Sequence, residues 1–165
     1  MLGAWKRSRR LPEWPLSTES DGIALMLAEG RGSSVLDGVA DHLGRARPGD
    51  YVAIQAYLTP NLETTKALSE LRLAVRDGFR VATTAAFGPR YLHSTGQLHK
   101  GGPNSGVFIQ IVDEERRDDV PIPGKQFTFG ALIDAQALGD LRSLRAAGRR
   151  VARTTLPQLR AALDA

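Results

Sequence analysis

Between Phe87 and Gly102 the chain reads FGPRYLHSTGQLHKGG. Arg90, His93, Ser94, Thr95, Gln97, His99 and Lys100 all fall in this window, as do two of the three histidines. Imidazole titrates near neutral pH, which suits it to proton transfer there. Guanidinium and ammonium groups hold anions by charge, and hydroxyls add hydrogen bonds. His93-Ser94-Thr95 reads as the start of a helical turn, whose unpaired N–H groups can take a phosphate. Gly96, Gly101 and Gly102 let backbone approach a ligand closely, though glycine and proline are equally the residues of a plain turn. His93 and His99 are six positions apart with no Asp or Glu between them, so no metal site is expected. The chain has no cysteine, which removes thiolate chemistry and disulfides. It has no G-x-S-x-G elbow and no phosphate-loop Lys-Ser/Thr, and Gly30-Arg31-Gly32 is too short for a dinucleotide fingerprint. No cofactor is expected.

The flanking elements must hold this window in place. Apolar runs at Arg80–Ala86 and Gly106–Val112 read as strands on either side of it. Tyr51–Tyr57 is apolar on both faces apart from Gln55, the pattern of a buried parallel strand. Ile23–Ala28 reads as a first strand and Val151–Thr154 as a short last one. Helices are expected from Ser33 or Ser34 to Leu43, from Asn61 to a stop at Gly78, from Thr128 to Ala147, and from Pro157 to Leu163. In the Thr128 helix the inward face is expected to carry Phe129, Leu132, Ile133, Leu141 and Leu144. Asp113–Gln126 is a charged, proline-containing connection. Strands alternating with helices predict an α/β fold in three layers, with about five parallel strands flanked by helices. In such sheets ligands bind beyond the carboxyl ends of the strands, and Phe87–Gly102 leaves such an end.

At 165 residues the chain is one domain, 22–165, preceded by an arm, 1–21, that carries Trp5 and Trp14. The first residues are basic, but no apolar signal core follows them, and no run reaches the length of a membrane span. With no disulfides, a cytoplasmic protein without membrane contact is expected. Net charge is +4, with arginines gathered at Arg7–Arg10 and at Arg142–Arg153. Such charge is the mark of a solvated surface, and no nucleic-acid motif accompanies it.

Three strings resemble a known family. They are PRYLHSTGQLHKGGPNSGVFIQI (Pro89–Ile111), IPGKQFTFGALIDAQALGDLRSL (Ile122–Leu144) and ARPGDYVAIQAYL (Ala46–Leu58). They resemble the isomerase part of bacterial transaldolase/glucose-6-phosphate isomerase fusion proteins, over about Leu11–Thr154. The resemblance implies the second of two sugar isomerase (SIS) domains. It implies aldose–ketose interconversion of glucose 6-phosphate and fructose 6-phosphate through a cis-enediol. The family's ring-opening histidine matches His93. Arg90, Ser94, Thr95, Gln97, His99, Lys100 and Gln136 are the accompanying substrate-binding candidates. The family's lysine in the last helical region has no counterpart, since Phe129–Ala147 contains no lysine and Gln136 lies mid-helix. The catalytic glutamate of the family, in an E-S-x-G-K segment, is also missing, and the resemblance places it upstream of Met1. Glu13, Glu19 and Glu29 lack the right surroundings. The expected partners are therefore a sugar phosphate and an N-terminal isomerase half. A homo-oligomer drawing its base from Glu114 or Glu115 is a further possibility, and so is a sugar-phosphate-binding module without catalysis.

Overall fold

The computed structural model describes residues 24–26, 33–113, 116 and 120–163. The elements run β1 (Ala24–Met26), α1 (Ser33–Leu43), β2 (Tyr51–Tyr57), α2 (Leu62–Phe79) and β3 (Ala82–Phe87). A 3-10 turn (Arg90–His93) and a short α3 (Gly96–Gly101) follow, then β4 (Gly106–Val112), α4 (Phe129–Ala146), β5 (Arg150–Thr155) and α5 (Leu156–Leu163). All five strands are parallel, in the order β1-β5-β4-β2-β3. The arm 1–21, the ends of the expected first strand, Glu29, Glu114 and Glu115 lie outside the described residues.

Side chains alternate across a strand, so β2 feeds two cores. Val52, Ile54 and Ala56 join Val107, Ile109 and Ile111 of β4 on one face, against Val39 and Leu43 of α1, Leu68, Leu71 and Val75 of α2, and Leu159 of α5. Ala53, Phe108 and Val151 face the other way, against Leu138, Leu141 and Leu144 of α4. Each such fully buried apolar side chain contributes roughly 1.5–3 kcal/mol. The result is three layers, with the sheet in the middle. Among the described residues no helix is long and apolar enough to cross a membrane.

Capping residues set the helix boundaries. Asn61 caps α2 through its side chain, which accepts from the Thr64 N–H, while Thr64 Oγ1 accepts from the Asn61 N–H. Thr128 caps α4 by accepting from the Ala131 N–H. At the other end of α2, the expected stop at Gly78 does not occur. Gly78 stays helical and Arg80 takes the left-handed conformation (φ 50°) instead. A non-glycine residue there carries a strain of about 1–2 kcal/mol. The face of α4 also differs from expectation. Phe129 is 47% exposed, and Ala131, Ala135, Ala137 and Asp140 turn inward with the leucines. Small residues at these positions let α4 lie close to the sheet.

Two arginines close the amino edge of the sheet. Arg149 Nη2 donates to the carbonyls of Lys100 (2.8 Å) and Gly102 (2.6 Å). Arg150 donates to the Arg45 carbonyl and to Asp50 Oδ2. Part of the C-terminal arginine cluster therefore ties β5 to the ends of α3 and α1, beyond a merely solvated role.

Strand order fixes where a ligand can enter. Successive connections from β1 to β2 and from β2 to β3 move toward one sheet edge, with α1 and α2 on one face. Those from β3 to β4 and from β4 to β5 move back, through α3 and α4 on the other face. Right-handed crossovers require this division. The reversal falls between β2 and β4, so a crevice opens beyond their carboxyl ends.

Candidate functional site

Phe87–Gly102 is an ordered crossover, with the 3-10 turn and α3 along it. It must travel from the carboxyl end of β3 to the amino end of β4, so it folds back across the α4 face of the sheet. Only its first residues stay at the carboxyl edge. Gly88 makes the turn possible: a Cβ there would stand 2.6 Å from the Tyr57 ring. Tyr91, in the 3-10 turn, is buried against Tyr57, Val112 and Ala137. Its hydroxyl donates to Asp140 Oδ2 at 2.7 Å. The Tyr57 and Tyr91 hydroxyls are 3.1 Å apart. Because the Tyr91 proton is committed to Asp140, Tyr57 donates to the Tyr91 oxygen. Burial, followed by the Asp140 charge, raises both phenols above their ordinary range.

The second half of the crossover is anchored rather than offered to solvent. His99 is buried at 5% exposure among Tyr51, Tyr91 and Phe108. Gln55 Nε2 lies 3.2 Å from His99 Nδ1, a hydrogen bond within the interior. Burial lowers the His99 pKa, with Asp140 opposing and Lys100 assisting. Lys100 Nζ pairs with Asp140 Oδ1 at 2.6 Å, and the Asp140 side chain is 1% exposed. Lys100 is thus a neutralising partner for a buried carboxylate.

The remaining sequence candidates separate by position. Arg90 is exposed at the carboxyl edge. His93, Ser94, Thr95 and Gln97 are placed on the outer side of the crossover, where His93 is exposed. Ser94 Oγ donates to the Tyr91 carbonyl at 3.2 Å. Thr95 precedes α3 without a side-chain capping bond, and α3 has six residues, too short to present a phosphate site of the kind expected. Gln136 is half-buried on α4, next to Ala137, which packs on Tyr57 and Tyr91. His93 and His99, close in sequence, therefore do different things: one faces solvent and one packs the interior. Among the described residues no cluster of His, Cys, Asp or Glu could hold a metal ion.

Two hollows line the carboxyl edge and share Leu58 and Thr59. The first, of about 220 Å³, is walled by Phe87, Gly88, Pro89 and Ile133, with Arg90 and Arg116 as its cations. Arg116 Nη2 donates to the Tyr57 carbonyl at 2.6 Å and its Nε to Asp134 at 3.1 Å. The second, of about 370 Å³, sits at the crevice between β2 and β4. Asn61, Thr64, Asp113 and Thr155 supply its polar groups, and Leu58, Val112, Leu156 and Pro157 its apolar wall. Sequence reading did not find Thr59, Asn61, Asp113, Arg116 or Thr155 as site residues. They are scattered over nearly a hundred positions, and their common signal is that each sits at the carboxyl end of a strand or within four residues after it.

No protein-family model matches the chain, and no curated protein does. Among solved structures, a hypothetical protein from Thermus thermophilus superimposes with a TM-score of 0.58 at 19% identity. The match covers 78% of this chain and 36% of that one, so this chain spans about a third of its length. At this identity the likeness speaks to the α/β fold alone.

Proposed function

We propose that the chain is the second SIS domain of a glucose-6-phosphate isomerase, working as one half of a composite site. The observation that carries this is the string Pro89–Ile111, which puts His93, Arg90 and their neighbours on one crossover. An exposed guanidinium and an exposed imidazole on the 3-10 turn that follows β3 suit a site closed by a second chain. In the reaction, a base moves a proton between C1 and C2 of the open-chain sugar. The ring must open first, and His93 transfers the proton that ring opening requires. The base comes from an N-terminal half bearing the E-S-x-G-K segment.

The test is conversion of fructose 6-phosphate to glucose 6-phosphate by the chain alone and with that half. The pair should be active and the chain alone inactive. Removing a general acid–base costs about 10²–10⁴-fold, so His93→Ala should slow turnover of cyclic substrate by at least that lower bound. Its exposure means that folding should be unaffected. A His93→Ala pair that isomerises cyclic substrate at the normal rate removes the assignment.

No E-S-x-G-K segment occurs within these 165 residues, which favours a second reading, a sugar-phosphate-binding module without turnover. Sugar-phosphate binding to the chain, with no isomerisation in the reconstituted pair, selects it.

A further inference from the structure

We propose that β3 is the docking edge for a second copy of this chain, paired antiparallel about a two-fold axis at Thr84, so that the two sheets become one. This goes beyond the isomerase reading and does not depend on it.

β3 ends the sheet on one side, with β2 as its neighbour. Its six residues pair with β2 in one unbroken register, from Tyr51 with Ala82 to Ala56 with Phe87, so no bulge turns the edge away. Among the described residues, no backbone hydrogen bond outside that ladder involves Ala82–Phe87. A strand at the side of a sheet presents a row of N–H and C=O groups that can template another strand. β2 and β4 are almost wholly buried, whereas every residue of β3 is half-buried or exposed, with Ala82 and Thr84 exposed. Natural sheets blunt such an edge with Lys, Pro, a bulge or a very short strand. Ala82-Thr83-Thr84-Ala85-Ala86-Phe87 has no charge, no proline and no glycine. It keeps the character of a pairing edge.

The residues of β3 suit an identical partner. Two copies of one edge meet about a two-fold axis normal to the sheet, which makes the pair antiparallel and keeps each face on its own side. Residues directly opposite in such a pair share a face, and faces alternate along a strand. The axis therefore passes through a residue and not between two. Of the two central residues, Thr84 is exposed, while Ala85 packs toward Leu68, Leu71 and Val75 of α2. With the axis at Thr84, this residue meets its own copy, where two threonines can hydrogen-bond across the strands. Thr83 then faces Ala85 of the second copy, and Ala82 faces Ala86. All are small, so the strands reach the usual spacing of about 4.8 Å without a clash. Charge does not oppose the approach. The two copies of α2 come to the same face of the joint sheet, and within α2 Glu63, Glu70 and Asp77 balance Lys66, Arg72 and Arg76.

The experiment is sedimentation equilibrium of the full chain, which should show a reversible dimer. Thr84→Lys and Thr84→Glu each set like charges opposite one another at the axis, so each should weaken dimerisation about tenfold or more. An equimolar mixture of the two should dimerise again, because opposite charges then meet. Thr84 is exposed, so both variants should keep the wild-type circular dichroism spectrum. Should either misfold, Thr84→Cys reports alone, since the chain has no other cysteine. Opposite residues of an antiparallel pair lie about 4.5–5.5 Å apart at Cα, within disulfide reach. Mild oxidation of Thr84→Cys should give a covalent dimer, and that of Ala147→Cys, at the exposed end of α4, should not. A monomeric wild-type chain overturns the proposal. So does a dimer that both charged variants leave intact, a mixture that stays monomeric, or a Thr84→Cys chain that cross-links no faster than Ala147→Cys.

Discussion

Asp140→Ala tests the network that holds the crossover. The wild-type carboxylate is almost fully buried and takes Lys100 Nζ at 2.6 Å and the Tyr91 hydroxyl at 2.7 Å. Removing one member of a buried ion pair costs about 3–5 kcal/mol. Here the lower end applies, because the Lys100 side chain is 32% exposed and its ammonium regains water. The lost Tyr91 bond to a charged group is worth about 1.5–3 kcal/mol, but it overlaps the first figure, since one carboxylate serves both. We expect a loss of about 3 kcal/mol, which for a domain of this size is a fall in Tm of roughly 6–12 °C. Tyr91→Phe should cost about 1–2 kcal/mol. The double variant should fall short of the sum by about 1 kcal/mol, because both changes delete the same contact. Asp140→Asn, which keeps the volume and an acceptor, isolates the charge. Urea unfolding followed by far-ultraviolet circular dichroism reads all four. An Asp140→Ala chain within about 0.5 kcal/mol of wild type, at the same denaturant slope, would refute the reasoning, since that is the range of an ordinary surface change.

Two further outcomes follow from buried groups. His42 Nε2 donates to the Phe108 carbonyl at 2.9 Å, and burial lowers its pKa from 6.5 to about 4, with Arg45 and Arg150 assisting. The unfolded chain therefore binds the extra proton first. Stability should be level above pH 7 and fall as pH drops from about 6.5 toward 4, by up to roughly 3 kcal/mol from His42. His99, shifted the same way, adds to the slope. Urea midpoints at pH 5 and pH 7.5 check this, and equal midpoints would contradict it. Gly88→Ala should destabilise by about 1–3 kcal/mol by pressing a methyl into the Tyr57 ring, whereas Gly101→Ala, with open space at its Cβ, should be near neutral in the same assay.

Local patterns in the chain were readable wherever neighbours in sequence decide them. Tyr51–Tyr57 and Gly106–Val112 are strands with the expected limits, and Asn61 and Thr128 cap the helices they precede. Strand order was not readable, because pairing depends on contacts between remote segments. That gap hides the path of the crossover. Without knowing that β4 lies on the far side of β2 from β3, nothing in HSTGQLHKGG says that it must return beneath the sheet. His99 then looks like a solvent group, although Gln55, 44 residues away, receives it in the interior. Asp140 was equally hidden, since its partners Tyr91 and Lys100 lie 40 or more positions upstream. Phe129 misled in the opposite direction. Its hydrophobicity suggested burial, but Leu138, Leu141 and Leu144, with Ala131, Ala135 and Ala137 among them, form the inward face of α4.

The anchoring of the crossover has a consequence for binding energetics. A loop that closes over a ligand must give up its conformational freedom at that moment, and affinity falls accordingly. Here Tyr91, His99 and Lys100 are fixed by Asp140, Tyr57 and Gln55 before any ligand arrives. Arg90 and His93 flank Tyr91 on that fixed turn. Their backbone is preorganised, so the entropy of ordering it is spent when the domain folds and does not recur with each ligand.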